Sequence, residues 1–433
     1  MNRKKILSCL ILLTVAFSCL ADSADAFFVP KKTEVVFWHV NEKGYRNNVI
    51  QHAVNTFNST IGEEKGITII AEYKGSTSKL HKALQEAAAA GEALPNVVTF
   101  DSTQQGQLID EGLLVDMMPY AEKNNYDLSN LNDIYLQGYG NTEGKLHGVP
   151  YSRAGYLLFY NKTLADEKGL RPASDMGGGL SAFCRALHTV DSVTGEVLVQ
   201  GLEMNSNFYY YQSAQVYQLG SSFIAEDGNS IVCVEDGTLK RIFEDWNSFA
   251  KEGWFNVRSN SETLESFFAG EVGAFVQFSS AFISTSANAQ EANIEVGVLP
   301  FPSYGTEFSR VGGDNVGIVG LTNSNEEIEA AWLFVEHLLS DDVVVYNATE
   351  AARIPTTHSS VMDPVLLADF EAHPERKLAY EQANNGGCFE DSYHVLMPDV
   401  ITRFNAALGG LLDGTYADAD AALAHIKEAI SAP

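Results

Sequence analysis

The sequence predicts an α/β protein built as two lobes, and three observations carry that reading. Short apolar strands alternate with helical stripes at β-α-β-α-β spacing from Glu34 to Phe100, the arithmetic of an open, mostly parallel sheet. A second composition of the same kind begins after Gly144-Lys145-Leu146-His147-Gly148-Val149-Pro150. The chain has 433 residues, 45% of them hydrophobic, which at roughly 100–200 residues per domain suffices for two or three domains with their own cores.

The first strand is Glu34-Val35-Val36-Phe37-Trp38-His39. From Tyr45 to Phe57, Val49, Ala53, Val54 and Phe57 recur at helical spacing. A second strand, Ile67 to Tyr73, leads to an Ala-rich helix from Ser78 to Ala90, stopped by Gly91 and Pro95; Asn96 to Phe100 is the third strand. Such sheets bind ligands beyond the carboxyl ends of their strands. That rule flags Trp38-His39 with the loop to Tyr45, Gly75-Ser76-Thr77 and Asp101-Ser102-Thr103.

In the second half, Tyr156-Leu157-Leu158-Phe159-Tyr160 is a strong strand that hands over to a helix after Asn161-Lys162. Residues 171–235 read as irregular, with a flexible break at Gly177-Gly178-Gly179 and an aromatic cluster, Phe208-Tyr209-Tyr210-Tyr211. The strand ending at Phe278 passes through Ser279-Ser280 into a helix near Ala281, whose first N–H groups can receive an anion. A strand from Val296 to Pro300 precedes the Gly-rich stretch Arg310-Val311-Gly312-Gly313-Asp314-Asn315 and another strand. Two amphipathic helices follow, one through Ile328, Trp332, Val335 and Leu339, the other through Val400, Phe404, Leu408 and Leu412 before Gly414.

Charge narrows the function. A formal −28 repels phosphate backbones, and no Lys/Arg cluster outside the first five residues offsets it, which argues against nucleic acid. Arg3, Lys4 and Lys5 precede an apolar run, Ile6 to Leu20, too short to span a bilayer and shaped like an export signal. Ala24-Asp25-Ala26 is a cleavage site that assigns residues 1–26 to the signal. Ala16-Phe17-Ser18-Cys19 offers a lipoprotein alternative, a signal to Ser18 with a lipid anchor on Cys19, although Phe17 departs from the usual lipobox. Either reading makes the protein exported. Cys184, Cys233 and Cys388 form no CxxC pair; three buried thiols, or one disulfide with one free thiol, are both open.

Enzyme signatures are missing. There is no HExxH, GxxxxGK[ST] or GxSxG, and no GxGxxG behind a strand. The ten His residues include no i, i+4 pair, giving no support for a metal site. Carboxylates abound, so a hydrolase with two facing carboxylates stays open as an alternative.

In order along nearly the whole chain, Val36-Phe37-Trp38-His39, Phe57-Asn58, Tyr73-Lys74-Gly75, Gly148-Val149-Pro150 before Leu158-Phe159-Tyr160-Asn161-Lys162, Gly270-Glu271 before Ser279-Ser280, Gly312-Gly313, Ile354-Pro355-Thr356, Met397-Pro398 and Gly414 resemble the extracellular solute-binding proteins of ABC importers. The resemblance is nearest to the branch that captures glycerol-3-phosphate and glycerophosphodiesters. It implies a type II, maltose-binding-protein-like fold with a hinge between lobes, no enzymatic activity and no cofactor. It further implies a monomer that passes a small solute to a membrane ABC permease. Lobe 1 is expected over 33–145 and 281–323, lobe 2 over 146–280 and 324–433.

Carried over by position, the resemblance places ligand contacts at Thr77, at Asp101 (or a helix N-cap), at Ser279 and Ser280 (or a helix cap), and at Gly313 (or a simple turn) with its neighbour Asp314. Trp38, His39 and Ser102 join them as strand-end candidates. Before Met397-Pro398, where glycerol-phosphate binders place an Arg, this chain reads Asp391-Ser392-Tyr393-His394, making Tyr393 the candidate there. Arg353 stands where the family often has Tyr and is the expected phosphate-holding cation, with an interlobe ion pair as its other reading. Arg153 is a second cation candidate. Tyr209, Tyr210 and Tyr211 are candidates for a cage around a quaternary ammonium, or for a core. A glycerophosphodiester such as glycerophosphocholine is the expected solute, with an oligosaccharide as the alternative.

Overall fold

The structure is a computed structural model that describes residues 32–41, 44–101, 104–136, 144–225, 230–305, 308–385, 388–389 and 397–431. The export signal and Cys19 lie outside these, as do Ser102 and Tyr393. Among the described residues no helix is long and apolar enough to cross a membrane.

Strand β1 (Thr33–His39) alternates as the sequence does, with Val35, Phe37 and His39 buried. It lies between β2 (Ile67–Tyr73) and β3 (Val97–Asp101), parallel to both. Two returning strands complete this sheet in the order β2-β1-β3-β13-β4, with β13 (Asp314–Ile318) antiparallel to β3 and β4 (Val149–Pro150) outside it. The helix Tyr45–Ser59 presses Val49, Ala53 and Phe57 onto it, and the helix Asn325–Leu338 adds Trp332, Phe334 and Leu338 to the same core.

A second sheet is organised on β5 (Ala154–Asn161), every residue of which is buried. Around it run β8 (Leu202–Met204), β9 (Phe255–Val257), β10 (Ala274–Phe278), β12 (Ser309–Gly312) and β14 (Cys388–Phe389), in the order β14-β12-β5-β10-β8-β9. Strand β11 (Val296–Pro300) also pairs antiparallel with β5, and β6 (Thr189–Val190) pairs with β7 (Val197–Val199) as a separate hairpin.

The expected lobe boundaries need correction. The segment 282–312 supplies β11 and β12 to the second sheet, whereas the helices Asn325–Leu338 and Asp341–Ala351 pack on the first lobe's core. Strand β4 and the buried Leu146, Val149 and Tyr151 belong to the first lobe too. The chain therefore crosses between lobes near 151–154, 312–314 and 351–354. These crossovers touch one another. Ile354 N–H donates to the Arg153 carbonyl at 2.8 Å, and Ser279 Oγ donates to the Ala352 carbonyl at 3.4 Å. At Gly313 (φ +150°) a Cβ would stand 1.9 Å from the Ser152 carbonyl oxygen, so the close backbone approach requires glycine.

The region 171–235 is more regular than its composition suggests. Gly178 (φ +129°) precedes a helix, Gly179–Leu187, and the aromatic cluster opens another, Phe208–Gln218. That second helix has no single apolar stripe: it is buried nearly all round, and two of its buried glutamines are satisfied by distant partners. Gln215 accepts from Trp246 Nε1 at 2.9 Å and donates to the Pro302 carbonyl at 3.2 Å; Gln218 donates to the Phe308 carbonyl at 2.7 Å. Cys184 and Cys233 are buried and Cys388 is half-buried, and no disulfide joins the three, which closes that alternative for them.

Candidate functional site

A cleft of about 280 Å³ opens where the two sheets meet the crossovers. From the first lobe, Val40 and Asn41 line it just beyond β1, Ser76 and Thr77 at the start of the helix Thr77–Ala90, and Asp101 at the end of β3. Opposite stand Phe278 and Ser280, with Gly312, Gly313, Asp314 and Arg353 from the crossovers.

Each position has a local cause. Ser76 caps its helix, its side chain accepting from Lys79 N–H at 3.4 Å, and the turn at Gly75 (φ +86°) brings Thr77 to the rim. Asp101 and Asp314 are directly opposite in the β3–β13 ladder, which puts two carboxylates side by side on one wall. The helix after Asp101, Gln105–Asp110, has Gln104 at its N-cap position, so Asp101 stands outside it. Ala352 takes a left-handed conformation (φ 46°, ψ 43°) at the end of the helix Asp341–Ala351. That turn swings the chain out of the helix and delivers Arg353 to the cleft.

Of the candidates read from sequence, Thr77, Asp101, Ser280, Gly313, Asp314 and Arg353 come together in this cleft. Others do not. Arg153 is fully buried, its Nη1 donating to the carbonyls of Ser152 (3.1 Å) and Asp314 (2.9 Å) and its Nη2 to Asn315 Oδ1; it ties two crossovers together. Ser279 is buried beside Ser280 and bonds the hinge. Tyr209 and Tyr211 are core residues, the first edge-on to Phe404 and the second to Tyr156. Tyr210 is half-buried under the Arg310 guanidinium, 4.4 Å from its ring centroid. Trp38 is half-buried with Lys74 Nζ 4.0 Å over its ring. His39 is buried, and burial pushes its imidazole down to about 4, partly opposed by a hydrogen bond at the Asn41 backbone. The strand-end rule takes in Val40 and Asn41 as part of the loop from His39 to Tyr45 but singles out neither, because they carry no chemistry recognisable in sequence. Phe278 was legible as the last residue of an apolar strand, yet nothing in the pattern tells a wall from a core.

The site can hold a polar solute by hydroxyls, carboxylates and one guanidinium, with an aromatic face at Phe278. Tyr156 stacks on Phe278 at 4.0 Å; its phenol is raised well above the usual range by burial, with Arg310 opposing and Asp101 adding to the shift. Among the described residues no group of three or more His, Cys, Asp or Glu is placed to hold a metal ion.

The chain belongs to the family of bacterial extracellular solute-binding proteins, whose profile matches residues 52–377. Among particular relatives, the sn-glycerol-3-phosphate-binding periplasmic protein of Agrobacterium fabrum is 22% identical over 96% of each chain. A binding protein of Brucella abortus is 23% identical over 46% of this chain, and that match spans about half (48%) of the relative's length. The fold superposes on UgpB from Mycobacterium tuberculosis in complex with glycerophosphocholine, with a TM-score of 0.79 at 16% identity over 92% of this chain and 97% of that one. It also superposes on the cyclic alpha-maltosyl-1,6-maltose binding protein from Arthrobacter globiformis, with a TM-score of 0.75 at 22% identity over 92% and 98%. The maltose-binding-protein-like α/β fold expected from the sequence is thus the fold of this chain. At these identities the likenesses speak for the fold alone.

Proposed function

We propose that this chain is an exported, non-enzymatic binding protein that captures a glycerophosphodiester, with glycerophosphocholine as the type ligand, and delivers it to a membrane ABC permease. The observation that carries the reading is Arg353 lining the same cleft as the side-by-side Asp101 and Asp314. A guanidinium suits a phosphodiester oxygen pair, the carboxylates suit glycerol hydroxyls, and their negative charge disfavours a second charge on the phosphate. The relative named for sn-glycerol-3-phosphate agrees with this choice.

An oligosaccharide is the second reading, favoured by Phe278 as a stacking face beside two carboxylates. A hydrolase is less well supported: Asp101 and Asp314 stand on adjacent strands of one wall, whereas glycoside hydrolysis needs carboxyl groups flanking the scissile bond. Calorimetry with glycerophosphocholine, glycerol-3-phosphate and maltotriose decides among them. Tightest binding of glycerophosphocholine, with no product after long incubation, is expected. Tighter binding of the monoester, or binding of maltotriose alone, would overturn the reading.

A further inference from the structure

Arg310 was no candidate from sequence, yet the structure sets it against the cleft wall. It shares a face of β12 with Gly312, two residues on. A Cβ on Gly312 would lie 2.9 Å from Arg310 Nη1 and 3.6 Å from Phe278 Cε1. Gly312 and Phe278 both line the cleft, so the edge of the guanidinium fills the space that a side chain at 312 would occupy. Its plane rests over Tyr210 at 4.4 Å, and with 3% exposure it is held in place rather than swinging in solvent. Arg353 reaches the cleft from the hinge.

We infer that Arg310 is a second anion-holding and specificity-determining residue of this cleft, bracketing the phosphoryl group of the solute together with Arg353; the inference rests on the phosphodiester reading above. Tyr210 then acts as a positioning residue, holding the guanidinium through its ring face. The absence of a side chain at Gly312 is what lets Nη1 approach the bound anion.

The test is calorimetry with glycerophosphocholine on the full chain carrying R310M, R310K or G312A, each checked for an intact thermal transition. Arg310→Met is expected to lose at least fiftyfold in affinity, while Arg310→Lys, which keeps the charge, loses about tenfold or less. Gly312→Ala keeps the arginine but pushes its Nη1 aside, and it too is expected to lose at least tenfold; should R310M fail to fold, G312A and R310K decide. Wild-type affinity in folded R310M or G312A overturns the role of Arg310 and leaves the phosphodiester reading standing. A wild-type protein that ignores glycerophosphocholine and binds maltotriose overturns the reading itself, and the role of Arg310 with it.

Discussion

Asp101 and Asp314 face each other across the β3–β13 ladder at the mouth of the cleft. Both line the cleft, where hydroxyls of a solute can reach their carboxylates. Asp101→Asn is expected to leave the unliganded protein's stability within about 1 kcal/mol of wild type. The same change removes a hydrogen bond to a charged group, worth about 1.5–3 kcal/mol, and so weakens ligand binding about 10- to 150-fold. Thermal unfolding and calorimetry check both halves; lost stability with unchanged affinity would assign Asp101 to the scaffold.

Ser279 and Ser280 are neighbours with opposite duties. Ser279→Ala deletes the bond to the Ala352 carbonyl and is expected to cost about 0.5–1.5 kcal/mol of stability, with little direct effect on ligand contacts. Ser280→Ala, at the cleft surface, should lower affinity and leave the denaturation midpoint in place. A swap of these two outcomes would mean that the cleft is lined differently in the bound state.

Gly313→Ala forces a methyl group onto the Ser152 carbonyl in a backbone region that disfavours side chains. A loss of about 1–3 kcal/mol is expected from the overpacking alone. Because Gly313 sits on a crossover, ligand affinity should fall as well. Chemical denaturation of the variant measures the first effect, and a wild-type midpoint would contradict it.

Three adjacent crossovers make a hinge, and a solute bridging Asp101 and Arg353 favours the closed arrangement. The radius of gyration from solution scattering should therefore fall on saturation with ligand. An unchanged radius at saturation would rule out closure.

His39 gives the fold a pH dependence. Burial holds its imidazole near 4, below the 6.5 of an exposed histidine, so the unfolded chain binds more protons between those values. The stability from neutral His39 is fully present above about 6.5 and is lost as pH falls toward 4, at up to about 1.4 kcal/mol per pH unit within that window. Denaturation midpoints of wild type and His39→Phe, compared from pH 7 to pH 4, should converge as the medium is acidified. Parallel curves would place His39 in a solvated setting.

Outside 171–235, sequence alone determined most of the local elements and the order in which they come. The alternation in Val35-Val36-Phe37, the stripe Val49-Ala53-Phe57 and the unbroken apolar β5 each fix one period and one buried face, a matter of near neighbours along the chain. It also pointed to Thr77, Asp101 and Ser280, because strand ends leave a local trace, and to Gly313, Asp314 and Arg353 through the family resemblance. Tertiary structure alone decided which lobe each returning segment joins. A helix such as Asn325–Leu338 has an apolar face that suits either core, and the choice is made by the crossover at Gly313, whose backbone contact to Ser152 is formed by residues far apart in sequence. The same holds for charge: Arg153, Arg310 and Arg353 are alike in one dimension, and only packing buries the first among carbonyls, lays the second over Tyr210, and leaves the third facing the cleft.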